Sequence, residues 1–252
     1  MRIGVLSDLY LDELGPLPAP EDQPDVLVLA GNIARGMKGI EWAVQTYSCT
    51  ILYVLGSNAY HGHDIDTFET ELRSIAWGSN FHLLQNETLI IRGVRFIGAT
   101  LWTDYNLFGN VEVAARLAAM TNEDFKLIVH TGGRPIVPAD LIALNHEAVG
   151  YLWRTATKPY DDGSTVVITH HAPSMRSVLP AYRGDLDEAS FASNLDELVV
   201  AADAKYWIHG AQPAPVDYAL GNTRVIANPR GYFTGGGVIG VPAFDPNYTI
   251  EM

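Results

Sequence analysis

The chain has 252 residues, of which 48% are hydrophobic and 18% are charged, a composition typical of a globular protein with a sizeable core. Its formal net charge of -13 argues against sequence-independent nucleic-acid binding, because such a surface repels phosphate backbones. The single cysteine, Cys49, excludes an intrachain disulfide and predicts a reducing, cytoplasmic setting.

The N-terminal stretch MRIGVLSD predicts a strand rather than a signal peptide, since its apolar run is short and is interrupted by Asp8. No apolar run reaches the roughly 18 residues that span a bilayer, so no membrane partner is expected. No linker-like segment or internal repeat interrupts the pattern, which favours one domain over residues 1–252. The sequence leaves the oligomeric state open.

Short apolar or β-branched runs alternate along the chain with segments of helical spacing. In chain order, the predicted strands are RIGVLSD, DVLVLAGN, TILYVLGSN, LIIRGVRFIGAT, TVVITHHAP, KYWIHGAQ and TRVIANPRGY. The clearest predicted helices are GIEWAVQTYS, DIDTFETELRSIAWG, EVAARLAAM, PADLIALNHEAVGYLWRTA and NLDELVVAADA. The glycine-rich segment RGYFTGGGVIG is predicted to be a loop. Strands that alternate with helices are typical of an α/β protein with largely buried sheets.

Polar side chains follow most of the predicted strands. Because ligands bind beyond the carboxyl ends of the strands in open α/β sheets, these positions predict one functional site. The positions are Asp8, Tyr10, Asn32, Ser57, Asn58, His170, His171, Ala211 and Gln212.

The order of these strand ends resembles that of the calcineurin-like metallophosphoesterase superfamily along essentially the whole chain. SDLY is similar to the Asp-x-His motif, AGNIARG to Gly-Asp, LGSNAYHG to Gly-Asn-His-Glu, and WIHGAQPAPVDY to Gly-His-x-His. VVITHHAPS contains the later His motif, and GATLWTDY, FASNLDEL, ANPRGY and PAFDPNYTIEM match flanking patterns of one bacterial branch. The resemblance implies a four-layer α/β/β/α sandwich with two mixed sheets.

Enzymes of this superfamily use two metal ions to polarise a phosphate ester and to activate a water molecule. By the resemblance, this chain keeps two of the eight metal-binding or catalytic positions, Asp8 and His170. The other six carry Tyr10, Asn32, Ser57, Asn58, Ala211 and Pro213. A neutral Asn32 replaces the carboxylate that would bridge the ions, and Ala211 offers no side-chain donor. The resemblance therefore predicts a protein without a dinuclear metal site and without a cofactor. A single Mg²⁺ on Asp8 and Asn32 stays an alternative.

Asp8 and His170 are the foremost catalytic candidates, because the resemblance places both at the former metal cavity. A carboxylate can orient an imidazole and raise its pKa, which would make a general acid or base. The alternative is a residual hydrogen-bonded pair that fills a vacated polar space. Tyr10, the third catalytic candidate, is either a phenolic acid or a ring that fills this space.

The predicted substrate-binding residues lie in the loops after the strands. They are Asn32, Arg35, Ser57, Asn58, Tyr105, His171 and Arg230. Asn32 and Asn58 either bind ligand oxygens or hold their own loops. Arg35 and Arg230 either bind an anion or form surface ion pairs. The expected partner is therefore a small-molecule ligand that could be anionic. Ser57 is weighed as a nucleophile and as a turn residue, and the turn is favoured because no Gly-x-Ser-x-Gly elbow surrounds it.

Three functions are compatible with these residues. The first is a repurposed, metal-independent enzyme that acts on a small molecule by acid/base chemistry. The second is a non-catalytic relative that binds a small ligand or a protein. The third is a weak phosphoesterase with one metal ion. The first is favoured narrowly, because the pocket positions keep polar side chains that can bind and transfer protons.

Overall fold

A computed structural model describes residues 1–234 and 236–252. The strands of this described part are β1 Arg2–Leu6, β2 Val26–Ala30, β3 Thr50–Val54, β4 Phe81–Leu83, β5 Glu87–Ile91, β6 Val94–Ala99, β7 Ser164–Thr169, β8 Tyr206–His209, β9 Val216–Leu220, β10 Thr223–Ala227, β11 Gly231–Thr234, β12 Gly237–Gly240 and β13 Thr249–Glu251. The α-helices are α1 Leu11–Leu14, α2 Lys38–Thr46, α3 Phe68–Ala76, α4 Val111–Thr121, α5 Asp124–Leu127, α6 Pro138–Ala156 and α7 Asp196–Ala202. Short 3-10 helices cover Ser57–Tyr60, Met175–Ser177, Pro180–Tyr182 and Leu186–Ser190.

The first large sheet has the strand order β13-β1-β2-β3-β4. The strands β1 to β4 are parallel, and only β13 runs antiparallel at the edge. Every residue of β2 is buried, which explains its unbroken apolar run VLVLA, since a parallel strand is covered on both faces. The parallel arrangement brings the ends of β1, β2 and β3 to one edge of the sheet.

The second large sheet has the strand order β5-β6-β7-β8-β10-β9. Its four central strands are parallel, and β5 and β9 are antiparallel edges. The sequence run LIIRGVRFIGAT, predicted as one strand, is instead the hairpin of β5 and β6. It turns at Arg92 and Gly93, whose φ angles of 48° and 79° match the left-handed pair of a tight hairpin turn.

Two sheets packed face to face, each covered by helices on its outer side, give four layers. Ile3, Val28 and Leu52 from the first sheet share a core with Phe96 and Ile168 from the second. A second core lies between the first sheet and α2 and α3, and a third lies between the second sheet and α6 and α7. This arrangement confirms the predicted four-layer sandwich with two mixed sheets.

The glycine-rich segment differs from its prediction as a loop. β11 and β12 pair antiparallel as a small hairpin, and Gly235 lies outside the described residues. Side chains alternate between the two faces of β11, and this leaves Phe233 exposed at the edge of a cavity. Within the described chain, no helix combines the length and the apolar character needed to cross a bilayer.

Candidate functional site

A cavity of about 480 Å³ lies where the carboxyl ends of the parallel strands of both sheets meet. All nine residues predicted from the strand ends line it, together with Arg35 and Pro213. They are Asp8, Tyr10, Asn32, Arg35, Ser57, Asn58, His170, His171, Ala211, Gln212 and Pro213. The structure therefore brings these residues together, while the role of each stays a prediction.

Several residues that line the cavity have a left-handed backbone conformation. Asp8, Tyr10, Asn32 and Ala211 have φ angles of 51°, 44°, 52° and 56°. This conformation costs an L-residue with a Cβ about 1–2 kcal/mol, although Asn and Asp tolerate it better. The strain is held by pairing between the two loops, where the amides of Asp8 and Tyr10 donate to the carbonyls of Gly31 and Asn32 at 2.9 and 3.1 Å. Strained backbone of this kind clusters at functional sites.

Asp8 is the buried carboxyl group of the cavity, with 2% of its surface exposed. Its Oδ2 accepts a hydrogen bond of 3.1 Å from the backbone amide of Ala211. Burial raises the pKa of Asp8 to about 7, and the hydrogen bond from the Ala211 amide, together with the nearby polar side chains of Ser7 and Asn32, only partly opposes this rise. Asp8 can therefore hold or release a proton near neutral pH.

A chain of hydrogen bonds links the side chains after β1, β2 and β3. Asn32 Nδ2 donates to the hydroxyl oxygen of Tyr10 at 3.0 Å, and Asn32 Oδ1 accepts from the backbone amide of Asn58 at 3.0 Å. Asn58 Oδ1 accepts from Arg35 Nε at 3.3 Å, and Arg35 Nη2 lies 3.0 Å from Glu13 Oε1. Burial raises the pKa of Tyr10 well above 10, so its phenol stays protonated and its ring packs in the cavity wall. This position fits the packing role of Tyr10, and its role as an acid stays a prediction.

His170 and Asp8 do not form the hydrogen-bonded pair that the sequence suggested. His170 Nδ1 lies 3.0 Å from the carbonyl oxygen of Ala30, which it can contact only as a donor. Burial lowers the pKa of His170 to about 3, with a further contribution from His171, whereas an ionised Asp8 partner would raise it. His171 Nδ1 lies 3.1 Å from the Thr100 carbonyl oxygen, and burial lowers its pKa to about 4. Both imidazoles are neutral near pH 7.

The side chains at these positions do not fit a pair of metal ions. Asp8 Oδ2 is engaged by a backbone amide, and both polar atoms of the Asn32 side chain have protein partners. Throughout residues 1–234 and 236–252, no group of three or more His, Cys, Asp or Glu side chains is arranged to hold a metal ion.

Two predicted substrate-binding residues, Tyr105 and Arg230, are absent from the described lining of the cavity. Tyr105 is 1% exposed and belongs to the same buried core as Trp102. The Arg230 guanidinium donates to the carbonyl oxygens of Leu14 and Gly15, at the C-terminal end of α1, at 2.8 and 2.7 Å. Arg230 thus satisfies helix-end carbonyls that would otherwise lack partners, and this structural role is the one that its contacts favour.

Arg230→Ala should lower the free energy of unfolding by about 2 kcal/mol, because the carbonyls at the end of α1 lose a charged donor. Urea unfolding followed by circular dichroism measures this change. Arg154→Ala, on the exposed surface of α6, is the matched control and should change stability little. Equal stability of the two variants would contradict the structural role of Arg230.

A His–Asp pair in the cavity wall was missed by the sequence analysis. His61 Nε2 lies 2.6 Å from Asp124 Oδ1, and Asn122 Nδ2 donates to the other Asp124 oxygen at 3.0 Å. His61 Nδ1 has no hydrogen-bond partner among the described residues. His61 is distinguished in sequence only by its closeness to His63, and 63 residues separate it from Asp124. No short motif could have indicated this pair.

Glu188 and Gln212 form a second polar pair that sequence motifs do not indicate as a unit. Glu188, in the 3-10 helix Leu186–Ser190, is 9% exposed, and burial raises its pKa to about 7. The neighbouring Gln212 side chain opposes this rise without reaching hydrogen-bonding geometry. Within the described chain, Glu188 Oε2 and both amide atoms of Gln212 have no hydrogen-bond partner. Buried polar atoms of this kind normally have partners, so the pair is a candidate for contact with a ligand.

The fold and the position of the cavity define a class, the phosphoesterase-like α/β/β/α sandwich, although no family model matches the sequence. The crystal structure of phosphopantetheinyl hydrolase (PptH) from Mycobacterium tuberculosis superposes with a TM-score of 0.68. The match covers 98% of this chain and 97% of that chain at 15% sequence identity. This similarity confirms the metallophosphoesterase-like fold, and at this identity it concerns the fold alone.

Two further proteins are similar to this chain. Uncharacterized protein L509 of Acanthamoeba polyphaga mimivirus is 22% identical over 201 residues, which are 72% of this chain and 68% of that protein. The structure of GAP50, the anchor in the inner membrane complex of Plasmodium, matches with a TM-score of 0.47 at 12% identity, covering 100% of this chain and 88% of that chain.

Proposed function

We propose that this protein is a metal-independent enzyme of the metallophosphoesterase-like fold that acts on a small molecule by acid/base chemistry. The observation that carries this proposal is the open cavity of about 480 Å³, which holds the buried Asp8 among polar side chains. A relic site would be expected to close around Tyr10, because close packing of a vacated space is stabilising. A concave cleft with a few placed polar groups is instead the usual form of a small-molecule site.

Asp8 and His61 are the groups best suited to move protons in this cavity. Asp8 can act as an acid or base because its pKa is about 7. Asp124 holds His61 through Nε2, so a proton on that nitrogen leaves Nδ1 as the basic atom. His170, tied to the Ala30 carbonyl, serves as a neutral part of the wall. Asn32 and Asn58 position the loops that carry these groups. The chain is thereby proposed to have diverged from the metal-dependent chemistry of its fold.

The decisive experiment is a turnover screen by mass spectrometry on a panel of small-molecule esters, amides and amines in buffer containing EDTA. The wild-type protein should convert at least one compound, and Asp8→Asn should abolish that conversion while remaining folded. Undiminished turnover by Asp8→Asn would refute the role of Asp8. Ligand-induced stabilisation without any turnover would instead favour the binding-protein alternative.

His61→Gln should lower kcat by about a hundredfold or more, because glutamine keeps the polarity of the side chain but cannot transfer a proton. Initial rates on the compound found in the screen measure this effect. His146→Gln, on the exposed face of α6, is the matched control and should retain the wild-type rate. A rate for His61→Gln equal to that of the control would exclude His61 from proton transfer.

The single-metal phosphoesterase stays a separate alternative with its own test. Hydrolysis of p-nitrophenyl phosphate should not rise when Mn²⁺ or Mg²⁺ is added to protein purified without chelator. A stoichiometric metal content together with metal-dependent hydrolysis would replace the proposed chemistry by this alternative.

A further inference from the structure

Acidic side chains greatly outnumber basic ones in the described lining of the cavity. Among the described lining residues, six carry carboxyl groups, namely Asp8, Glu13, Glu123, Asp124, Asp187 and Glu188. One lining residue, Arg35, carries a permanent positive charge, and its guanidinium is already paired with Glu13 at 3.0 Å. Two of the lining histidines, His170 and His171, are neutral because burial lowers their pKa values, and a third, His61, is paired with Asp124. An anion would meet net repulsion here, whereas a cation would be attracted.

Glu188 supplies a specific position for such a cation. Its side chain is nine-tenths buried and lines the cavity, and its Oε2 has no partner among the described residues. Gln212, 2% exposed, lies beside it, and neither of its amide atoms has a hydrogen-bond partner in the part of the chain that the structure describes. An N–H donor of a ligand could pair with Glu188 and with the amide oxygen of Gln212 after a small side-chain movement. This pairing would remove the cost of leaving these buried polar atoms without partners.

The mouth of the cavity is aromatic, which is an observation independent of the charges. Tyr182, Phe191 and Phe233 line the cavity and remain 39%, 40% and 49% exposed. They come from three separate segments, a 3-10 helix, the end of the next 3-10 helix and β11. Exposed aromatic side chains that converge on one opening mark a binding surface. Aromatic faces attract organic cations in addition to apolar groups.

We infer that the cavity binds an organic cation, a small molecule with an amine, guanidine or quaternary ammonium group, with Glu188 as its counter-ion and the aromatic mouth around its apolar part. This inference rests on the proposed function, since it assumes that the cavity is the substrate site. It replaces the anionic ligand that the sequence left open. It also distinguishes this site from one built for a phosphate ester, which requires positive charge.

The test compares three probes with nearly the same skeleton and different charge: phenylbutylamine, phenylbutanol and phenylbutyrate. Isothermal titration calorimetry at neutral pH measures their binding to the whole protein, with inorganic phosphate as a further anion. The amine should bind about tenfold more tightly than the alcohol, as one charge-assisted hydrogen bond would provide. The acid and phosphate should bind more weakly than the alcohol.

Two variants assign the binding to this cavity. Glu188→Gln should weaken the amine about tenfold and leave the alcohol unchanged, because it removes charge at constant shape. Glu197→Gln, on the exposed surface of α7, is its control. Phe191→Ala should weaken both the amine and the alcohol, whereas Trp77→Ala, at a site 90% exposed and absent from the described lining, should not.

Each result decides the inference. Preferential binding of the acid or of phosphate, no measurable binding of the amine, or amine affinity that is unchanged in Glu188→Gln would overturn it. Calorimetry does not depend on turnover, so the two proposals can fail separately. A protein that binds the amine through Glu188 but converts no compound keeps this inference and loses the proposed chemistry. A protein that turns over neutral or anionic compounds through Asp8, and does not bind the amine through Glu188, keeps the proposed chemistry and loses this inference.

Discussion

Asp8→Asn should raise the free energy of unfolding by about 2–4 kcal/mol at pH 8 and by little at pH 4. Burial raises the pKa of Asp8 from 3.8 to about 7 in the folded protein. The folded state therefore binds this proton more tightly than the unfolded state does. The stability that this bound proton contributes to the folded state is fully present below pH 3.8 and is lost as the pH rises through 7. Above that pH the folded protein has to keep a buried negative charge.

Asparagine suits this position for two physical reasons. It removes the ionisable group while its Oδ1 can still accept from the Ala211 amide. It also tolerates the left-handed backbone at φ 51°. The same variant should be inactive, so a gain in stability and a loss of function would occur together, as expected where a site carries an unfavourable charge.

Urea unfolding between pH 4 and pH 8 measures the difference between wild type and Asp8→Asn. Asp161→Asn, in an exposed turn, is the control, and its free energy of unfolding should change with pH in the same way as that of the wild type across this range. A parallel curve for Asp8→Asn as well would mean that the carboxyl is not perturbed. A stability gain at pH 4 rather than at pH 8 would contradict the sign of the shift.

Gly31→Ala should destabilise the protein by about 3 kcal/mol or more and displace His170 from the cavity wall. Gly31 follows β2 with φ +88°, a conformation that costs alanine about 1–2 kcal/mol. A methyl group there would overlap the His170 imidazole. The ring would have to move, and its hydrogen bond to the Ala30 carbonyl would be lost. The amide–carbonyl pairing that orders the Asp8 loop passes through the same residue.

Gly109→Ala separates strain from overlap. Gly109 has a similar φ of +77°, but an added Cβ would meet nothing within 4 Å. It should therefore cost only the backbone strain. Thermal and urea unfolding of both variants, and of each combined with His170→Ala, complete the test. Shortening His170 should recover part of the loss in Gly31→Ala and none in Gly109→Ala, and equal losses without such coupling would show that no overlap exists.

Much of the fold could be predicted from local patterns. The buried strands β1, β2, β3 and β7 are apolar runs that end in polar residues, and their order matched a known sandwich. The helix α6 coincides with its predicted segment because its apolar spacing and N-terminal proline are both local signals. The hairpin of β5 and β6 was missed because the turn Arg92–Gly93 lies inside one apolar run.

The candidate site could be predicted only in part. The sequence located the residues that follow the strands, because parallel strands bring their carboxyl ends to one edge of a sheet. It did not predict which groups these side chains contact. Arg230 follows β10, just as the other predicted site residues follow their strands, yet its long side chain reaches the end of α1. His170 contacts a backbone carbonyl from β2 instead of Asp8.

The sequence by itself determines which residue follows which strand. Because the strands are parallel, this is enough to place Asp8, Asn32, Asn58 and His170 around one cavity. Contacts between distant segments decide what those residues can do. Ala211 donates to Asp8 across 203 residues, and Asp124 holds His61 across 63. The raised pKa of Asp8, the burial of Glu188 and the aromatic mouth arise from the same long-range packing. Burial and hydrogen bonding depend on the whole surroundings of a side chain, and these exist only once both sheets and their loops have packed.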